Sequence, residues 1–161
     1  MPEPTTRDPS GSPALGRRAV LAGGVGLLVL ALPVRALARP SLQQAVAGFT
    51  GGAPVTAGRV KLTLPPLVEN GNAVGVTIDV ESPMTAQSHV RRIGLFNEKN
   101  PQADIAVFRL GLRSGRARVA TRIRLATSQT VIAVAELSDG TYWSSEASVI
   151  VTLAACIEDL T

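Results

Sequence analysis

The alternation Val74-x-Val76-x-Ile78-x-Val80, with Ala73, Gly75, Thr77 and Asp79 interleaved, limits the fold more than any other feature of this chain. Successive side chains of a strand point to opposite faces, so such a run reads as a strand with one buried and one wet face. Val60, Leu62 and Leu64 repeat the pattern against Arg59, Lys61 and Thr63, until Pro65-Pro66 stops the strand because proline cannot donate to a ladder. His89 to Phe96, Ile105 to Leu112 and Arg118 to Leu125 are further candidates. Gln129 to Leu137 is more continuously apolar, as expected of a central strand covered on both faces. Asp139-Gly140 between Ser138 and Thr141 predicts a type I′ hairpin, and a last strand runs through Trp143 and Val149 to Leu153. Turns are expected at Asn70-Gly71-Asn72, Asn100-Pro101 and Gly115. Ahead of the strands, Ser41 to Gly48 predicts a short helix with Ser41 as N-cap and Gly48 as its stop.

Seven short strands separated by turn signals predict an all-β immunoglobulin-like β-sandwich with a short N-terminal helix. The sandwich lacks two hallmarks of that class. A single cysteine permits no intrachain disulfide, and the single tryptophan, Trp143, lies late in the chain. With aromatics at 3% of residues, the core must rest on Val, Leu and Ile. Open strand edges are a liability that a partner chain would cover.

Residues 1–38 read as an export signal, 39–153 as the sandwich and 154–161 as a flexible C-terminal arm. Arg17-Arg18 precede an apolar run from Leu21 to Leu32, too short to span a bilayer, and Ala36-Leu37-Ala38 offers the small residues of a cleavage site. The paired arginines resemble the twin-arginine signal used for folded export; a general secretory signal with two basic residues is the alternative. Either route leads to a bacterial periplasm without stable membrane insertion. Loss of Arg7, Arg17, Arg18, Arg35, Glu3 and Asp8 with the leader lowers the formal net charge from +4 to +2. That balance gives no reason to invoke nucleic acid.

The count of reactive groups narrows the chemistry further. One histidine, His89, and one thiol, Cys156, cannot supply a hydrolytic triad with its usual partners, a zinc set or a haem-attachment pair, and no phosphate loop is present. No cofactor is expected. Arg118, Arg122 and Arg124 project from one face of their strand and form a basic stripe, either a solvated outer face or a docking site for an acidic partner or small anions. Cys156 lies past the last strand, where little could bury it. A thiolate forms reversible bonds to sulfur, and an unpaired cysteine in an oxidising compartment implies a reactive role or a bond to another chain.

Several segments together resemble the family of the sulfur-oxidation carrier protein SoxY. They are Thr50-Gly51-Gly52, Pro65-Pro66-Leu67-Val68-Glu69-Asn70-Gly71-Asn72, Val80-Glu81-Ser82-Pro83-Met84-Thr85 and Phe96-Asn97-Glu98-Lys99-Asn100-Pro101. Arg118 to Ala126 and Val134-Ala135-Glu136-Leu137-Ser138-Asp139-Gly140 complete the set. The resemblance implies an immunoglobulin-like subunit that forms a periplasmic heterodimer with a SoxZ-like chain. It also implies a carrier cysteine in a Gly-Gly-Cys-Gly-Gly arm, loaded with thiosulfate by a haem-containing ligating enzyme. A di-manganese thiosulfohydrolase then releases sulfate, so the carrier is a substrate of enzymes and not an enzyme itself.

Cys156 matches the carrier position, but its surroundings depart from the pattern. Ala154 and Ala155 replace glycines, and Ile157-Glu158-Asp159-Leu160-Thr161 replaces the final pair. Alanine stiffens and thickens an arm that glycine would leave slim, and the acidic residues oppose both a thiolate and an anionic adduct. The competing expectation is a diverged paralogue, a non-carrying binding partner whose cysteine is idle or forms an interchain disulfide.

Overall fold

The computed structural model describes residues 39–153. Helix α1 (Leu42–Thr50) is followed by nine strands among the described residues: β1 (Val55–Ala57), β2 (Val60–Thr63), β3 (Leu67–Asn70), β4 (Val74–Val80) and β5 (Val90–Asn97). They continue with β6 (Asp104–Arg109), β7 (Arg118–Ile123), β8 (Gln129–Leu137) and β9 (Tyr142–Leu153). The larger sheet runs β1-β9-β8-β5-β6, with β3 also on β9, and the smaller runs β2-β4-β7. The expected sandwich is present. Its seven anticipated strands are joined by β1 and β3, of three and four residues.

Alternation sets the core. Val74, Val76, Ile78 and Val80 of β4 face Ile93, Leu95, Val131, Ala133, Ala135 and Val149 of the larger sheet, all buried. Ile123 and Leu125 join them, as their spacing on the β7 segment requires. A second cluster explains the continuous apolar run of β8. Val134 and Phe96, on the outer face of the larger sheet, are covered by Phe49 of α1, with Leu42, Ala45, Val46, Ile132 and Tyr142 around them. Phe49 meets Phe96 and Tyr142 edge-on at ring separations of 5.5 and 6.2 Å.

Gly94 of β5 makes that packing possible. A Cβ there would come within 2.6 Å of the Phe96 ring and 3.1 Å of Phe49. Arg92 ties the helix end to the sheet. It donates through Nη2 to the Phe49 carbonyl at 2.9 Å, lies 4.3 Å above the Phe49 ring and bonds through Nε to Glu136. The Glu136 hydrogen bond raises the Arg92 pKa above its usual value, outweighing the opposing effect of burial.

Two local expectations need correction. Helix α1 does not stop at Gly48; it ends at Gly51, which takes φ 64° and donates to the Ala47 carbonyl. The extra turn delivers Phe49 to the sheet, and the left-handed closing position is one that glycine fills without strain. Ser41 is the N-cap, in a reciprocal box with Gln44. The β8–β9 hairpin is not type I′ either, since Gly140 alone in the loop has positive φ. Gly140 N–H donates to the Leu137 carbonyl and Leu137 N–H to that of Thr141, both at 3.0 Å. This is the three-residue hairpin with glycine at its left-handed position. Asp139 accepts from Thr141 Oγ1 at 2.7 Å and Thr141 N–H at 2.9 Å, which hold its pKa below the usual carboxylate value.

Candidate functional site

Strand β9 is the last described element before Cys156 in the sequence, and its far half is anchored by a strand from early in the chain. Leu67, Val68 and Asn70 of β3 pair in parallel with Ile150, Val151 and Leu153. Ile150 N–H donates to the Pro66 carbonyl at 2.9 Å, and Thr152 Oγ1 donates to Glu69 O at 3.1 Å. On the other side, Val151 N–H donates to Ser128 Oγ at 2.9 Å. The chain is therefore held from both sides up to its last described residues. Cys156 stands three positions after Leu153 in the sequence, outside the described residues.

The same end of the sandwich carries a fully satisfied polar network. Buried Asn97 donates to the carbonyls of Gln102 and Ala103 at 2.8 and 3.2 Å, and its Oδ1 accepts from Asn100 N–H at 2.8 Å. Asn100 Oδ1 accepts from Ala126 N–H and Gln129 Nε2, while its Nδ2 donates to the Arg124 carbonyl at 2.8 Å. Leu125 N–H donates to the Gly71 carbonyl at 2.9 Å, joining the β3–β4 turn to the β7–β8 loop. The β3–β4, β5–β6 and β7–β8 connections are thus fixed to one another. Such networks, when complete, make a rigid platform.

The arginine stripe lies where its spacing put it. Arg118, Ala120, Arg122 and Arg124 are exposed, while Val119 and Thr121 are half-buried and Ile123 and Leu125 buried. Arg118 pairs with Asp79 at 3.7 Å; Arg122 and Arg124 form no ion pair among the described residues. His89 stands just ahead of β5 with Nδ1 3.1 Å from the Thr85 carbonyl, an ordinary loop contact. No group of three or more metal-capable side chains occurs among the described residues. No described helix is long and apolar enough to cross a membrane. The expectations for the export signal at 1–38 and for Ala154, Ala155, Cys156, Ile157 and Glu158 fall outside the described residues.

The anchor around Thr152 and Glu69 escaped the reading of the sequence. Its trace was the Pro65-to-Asn72 segment, which reads as a strand stop and a turn because its partners lie more than eighty residues away. The same holds for Asn97, Asn100 and Gln129, whose convergence depends on three separate loops.

An immunoglobulin-like sandwich whose last strand ends three positions before the only cysteine of the sequence defines the class. A family model described as sulfur oxidation protein SoxY matches residues 46–156, a span that includes Cys156. The chain belongs to the SoxY family. Among solved structures it is similar to the sulfur carrier protein SoxY from Chlorobium limicola f thiosulfatophilum, at 24% identity and TM-score 0.59, over 70% of this chain and 97% of that one. A superoxide reductase (neelaredoxin) from Ignicoccus hospitalis aligns at 16% identity and TM-score 0.53, over 58% of this chain and 80% of that one. A putative superoxide reductase from Thermotoga maritima aligns at 20% identity and TM-score 0.50, over 64% and 89% of the two chains. These likenesses establish a shared fold. No curated protein sequence matches significantly.

Proposed function

We propose that this chain is a periplasmic carrier that holds thiosulfate-derived intermediates covalently on Cys156, as one subunit of a heterodimer with a SoxZ-like chain. The single observation that carries the reading is the family match through residue 156, which takes in the only thiol of the chain. The anchoring of β9 by β3 and Ser128 supports it, because a carrier arm needs a fixed base from which to reach its enzymes.

The chemistry asks little of the chain itself. The Cys156 thiolate and thiosulfate join through a new sulfur–sulfur bond with loss of two electrons, which the haem-containing ligating enzyme accepts. Water then attacks the terminal sulfonate sulfur on the di-manganese hydrolase, releasing sulfate and protons and leaving a persulfide on the arm. The carrier supplies one nucleophile and a mount, so it acts as a substrate and not as an enzyme. The residues Glu158 and Asp159, two and three positions after Cys156, add negative charge near an anionic adduct, an effect that salt weakens.

The test is the intact mass of protein purified from the periplasm of cells fed thiosulfate, before and after reductant. A reductant-labile sulfur adduct on wild type, absent from Cys156→Ser, is the expected result. If wild type carries none, or Cys156→Ser carries the same one, the carrier reading fails and a non-carrying paralogue remains. A Cys156-dependent interchain disulfide in the same sample would mark that paralogue as a bonded subunit.

A further inference from the structure

The outer face of the smaller sheet carries uncompensated positive charge at one end only. Register places Arg118 opposite Asp79 and Arg122 opposite Gly75. Arg118 and Asp79 form an ion pair at 3.7 Å, so the first end is neutralised. Glycine offers Arg122 no side chain across the ladder, and Arg124, exposed just past the strand, follows it on the same face. Neither forms an ion pair among the described residues; Asp104, which borders the same surface hollow as Arg124, stays beyond ion-pair distance.

That end of the face is also where β9 stops. The 3-10 turn Gly71–Ala73 connects the two places: Leu153 of β9 is in register with Asn70 just before the turn, and Ile123 of β7 with Val74 just after it. The Gly71 carbonyl accepts from Leu125 N–H at 2.9 Å, which fixes the turn beside Arg124. A three-residue 3-10 turn advances only about 6 Å. In the sequence that follows β9, residues 154–161, the only charged side chains are Glu158 and Asp159. Glu158 is five positions after Leu153, and five residues can extend to about 18 Å, enough to cross the turn with length to spare.

We propose that the Arg122–Arg124 end of this face is the docking site of the segment 154–161, with the carboxylates of Glu158 and Asp159 seated against the two guanidinium groups. Exposed ion pairs are individually weak, but tethering to β9 gives the carboxylates an effective concentration in the range of about millimolar, so the docking is intramolecular and reversible. Docking gives Cys156 a rest position beside the turn, from which salt or a competing acidic surface releases it. This goes beyond the carrier reading and does not depend on it, because no thiosulfate chemistry enters.

The test attaches a nitroxide to Cys156, the single thiol of the full chain, at low salt and without thiosulfate. The expected result is a slowed component in the label's spin-resonance spectrum and loss of the Thr121 and Ile123 amide signals in the nuclear resonance spectrum. The double variants Arg122→Gln/Arg124→Gln and Glu158→Gln/Asp159→Asn, and salt at about 1 M, should each remove the slowed component and restore the signals. Lys61→Gln, in the row of Asp79 and Arg118 at the neutralised end, should change neither. Arg122, Arg124 and Lys61 are exposed, and thermal melting confirms that each variant is folded. A label equally mobile in wild type and variants overturns the proposal, as does a slowed component that survives in the arginine variant. Signal loss in an isotope-labelled Cys156→Ser chain mixed with nitroxide-bearing chain would make a second copy's segment the occupant and overturn the intramolecular docking. None of these results bears on the carrier reading, which the intact mass decides.

Discussion

The two long sides of this sandwich are built from the same kind of strand and closed in opposite ways. On one side, β1 and β3 both lie along β9 in parallel, and β2 packs beside it from the other sheet. The turn from β1 to β2 wraps Trp143: Gly58 takes φ 119° with N–H donating to the Ser144 carbonyl, and Arg59, at φ 55°, lies 5.5 Å above the indole. Arg59 also donates to the Glu81 carbonyl at 3.1 Å, which helps to hold its unusual backbone. The other side has no such strap. Left-handed backbone at a non-glycine residue costs energy that only surrounding contacts can offset, so the seam is a place where structure has been added for stability.

Breaking the seam gives the largest expected effect. Trp143→Ala removes the packing surface of the β1–β2 turn and should cost about 2–3 kcal/mol, somewhat less than a fully buried tryptophan. Chemical denaturation measures it, and an unchanged midpoint would mean the strap adds nothing. A smaller effect sharpens the comparison at the far end of β9. Thr152→Val, which loses the bond to Glu69 O, should cost about 0.5–1 kcal/mol and speed hydrogen exchange in β3 without disturbing β6 or β7.

The smallest effect is a pH dependence in the hairpin that enters the seam. Asp139 has a lowered pKa in the folded chain, chiefly because Thr141 donates to it. Its contribution is therefore present above the ordinary value of 3.8 and lost as pH falls through the lower folded value. Melting temperatures of wild type and Asp139→Asn should differ by a constant amount from about pH 5 to 7 and converge in stronger acid. A difference that persists unchanged into strong acid would rule out the carboxylate as its source.

The legible part of the fold is the part governed by local periodicity. Alternation in β2, β4 and β7 announced both the strands and their buried faces, and the Arg118-Arg122-Arg124 stripe followed from the same count. The continuous run of β8 correctly implied cover on both faces, although the cover turned out to be Phe49 of α1. What escaped was non-local. Strands β1 and β3 have three and four residues, and each exists because β9, far along the chain, offers a parallel edge. Gly48 looked like a helix stop because propensity cannot see that Phe49 is needed against Phe96. Cys156 stood out in the sequence by being solitary and lies outside the described residues, whereas the anchor at Thr152 and Glu69 needed the assembled sheet to become visible.

The parallel pairings of β9 also set an order of events. Val55 meets Tyr142 and Leu67 meets Ile150, so the first strands of the domain find their neighbours only after nearly all of it has been synthesised. Contacts of such sequence separation close large loops before they return any stabilisation, which places refolding in the range of about milliseconds to seconds. During that interval β1 and β3 have no lasting partner. The final strand is thus the latch of the molecule: a chain interrupted before β9 would lose the seam and the strand that joins β1 and β3 to the larger sheet together.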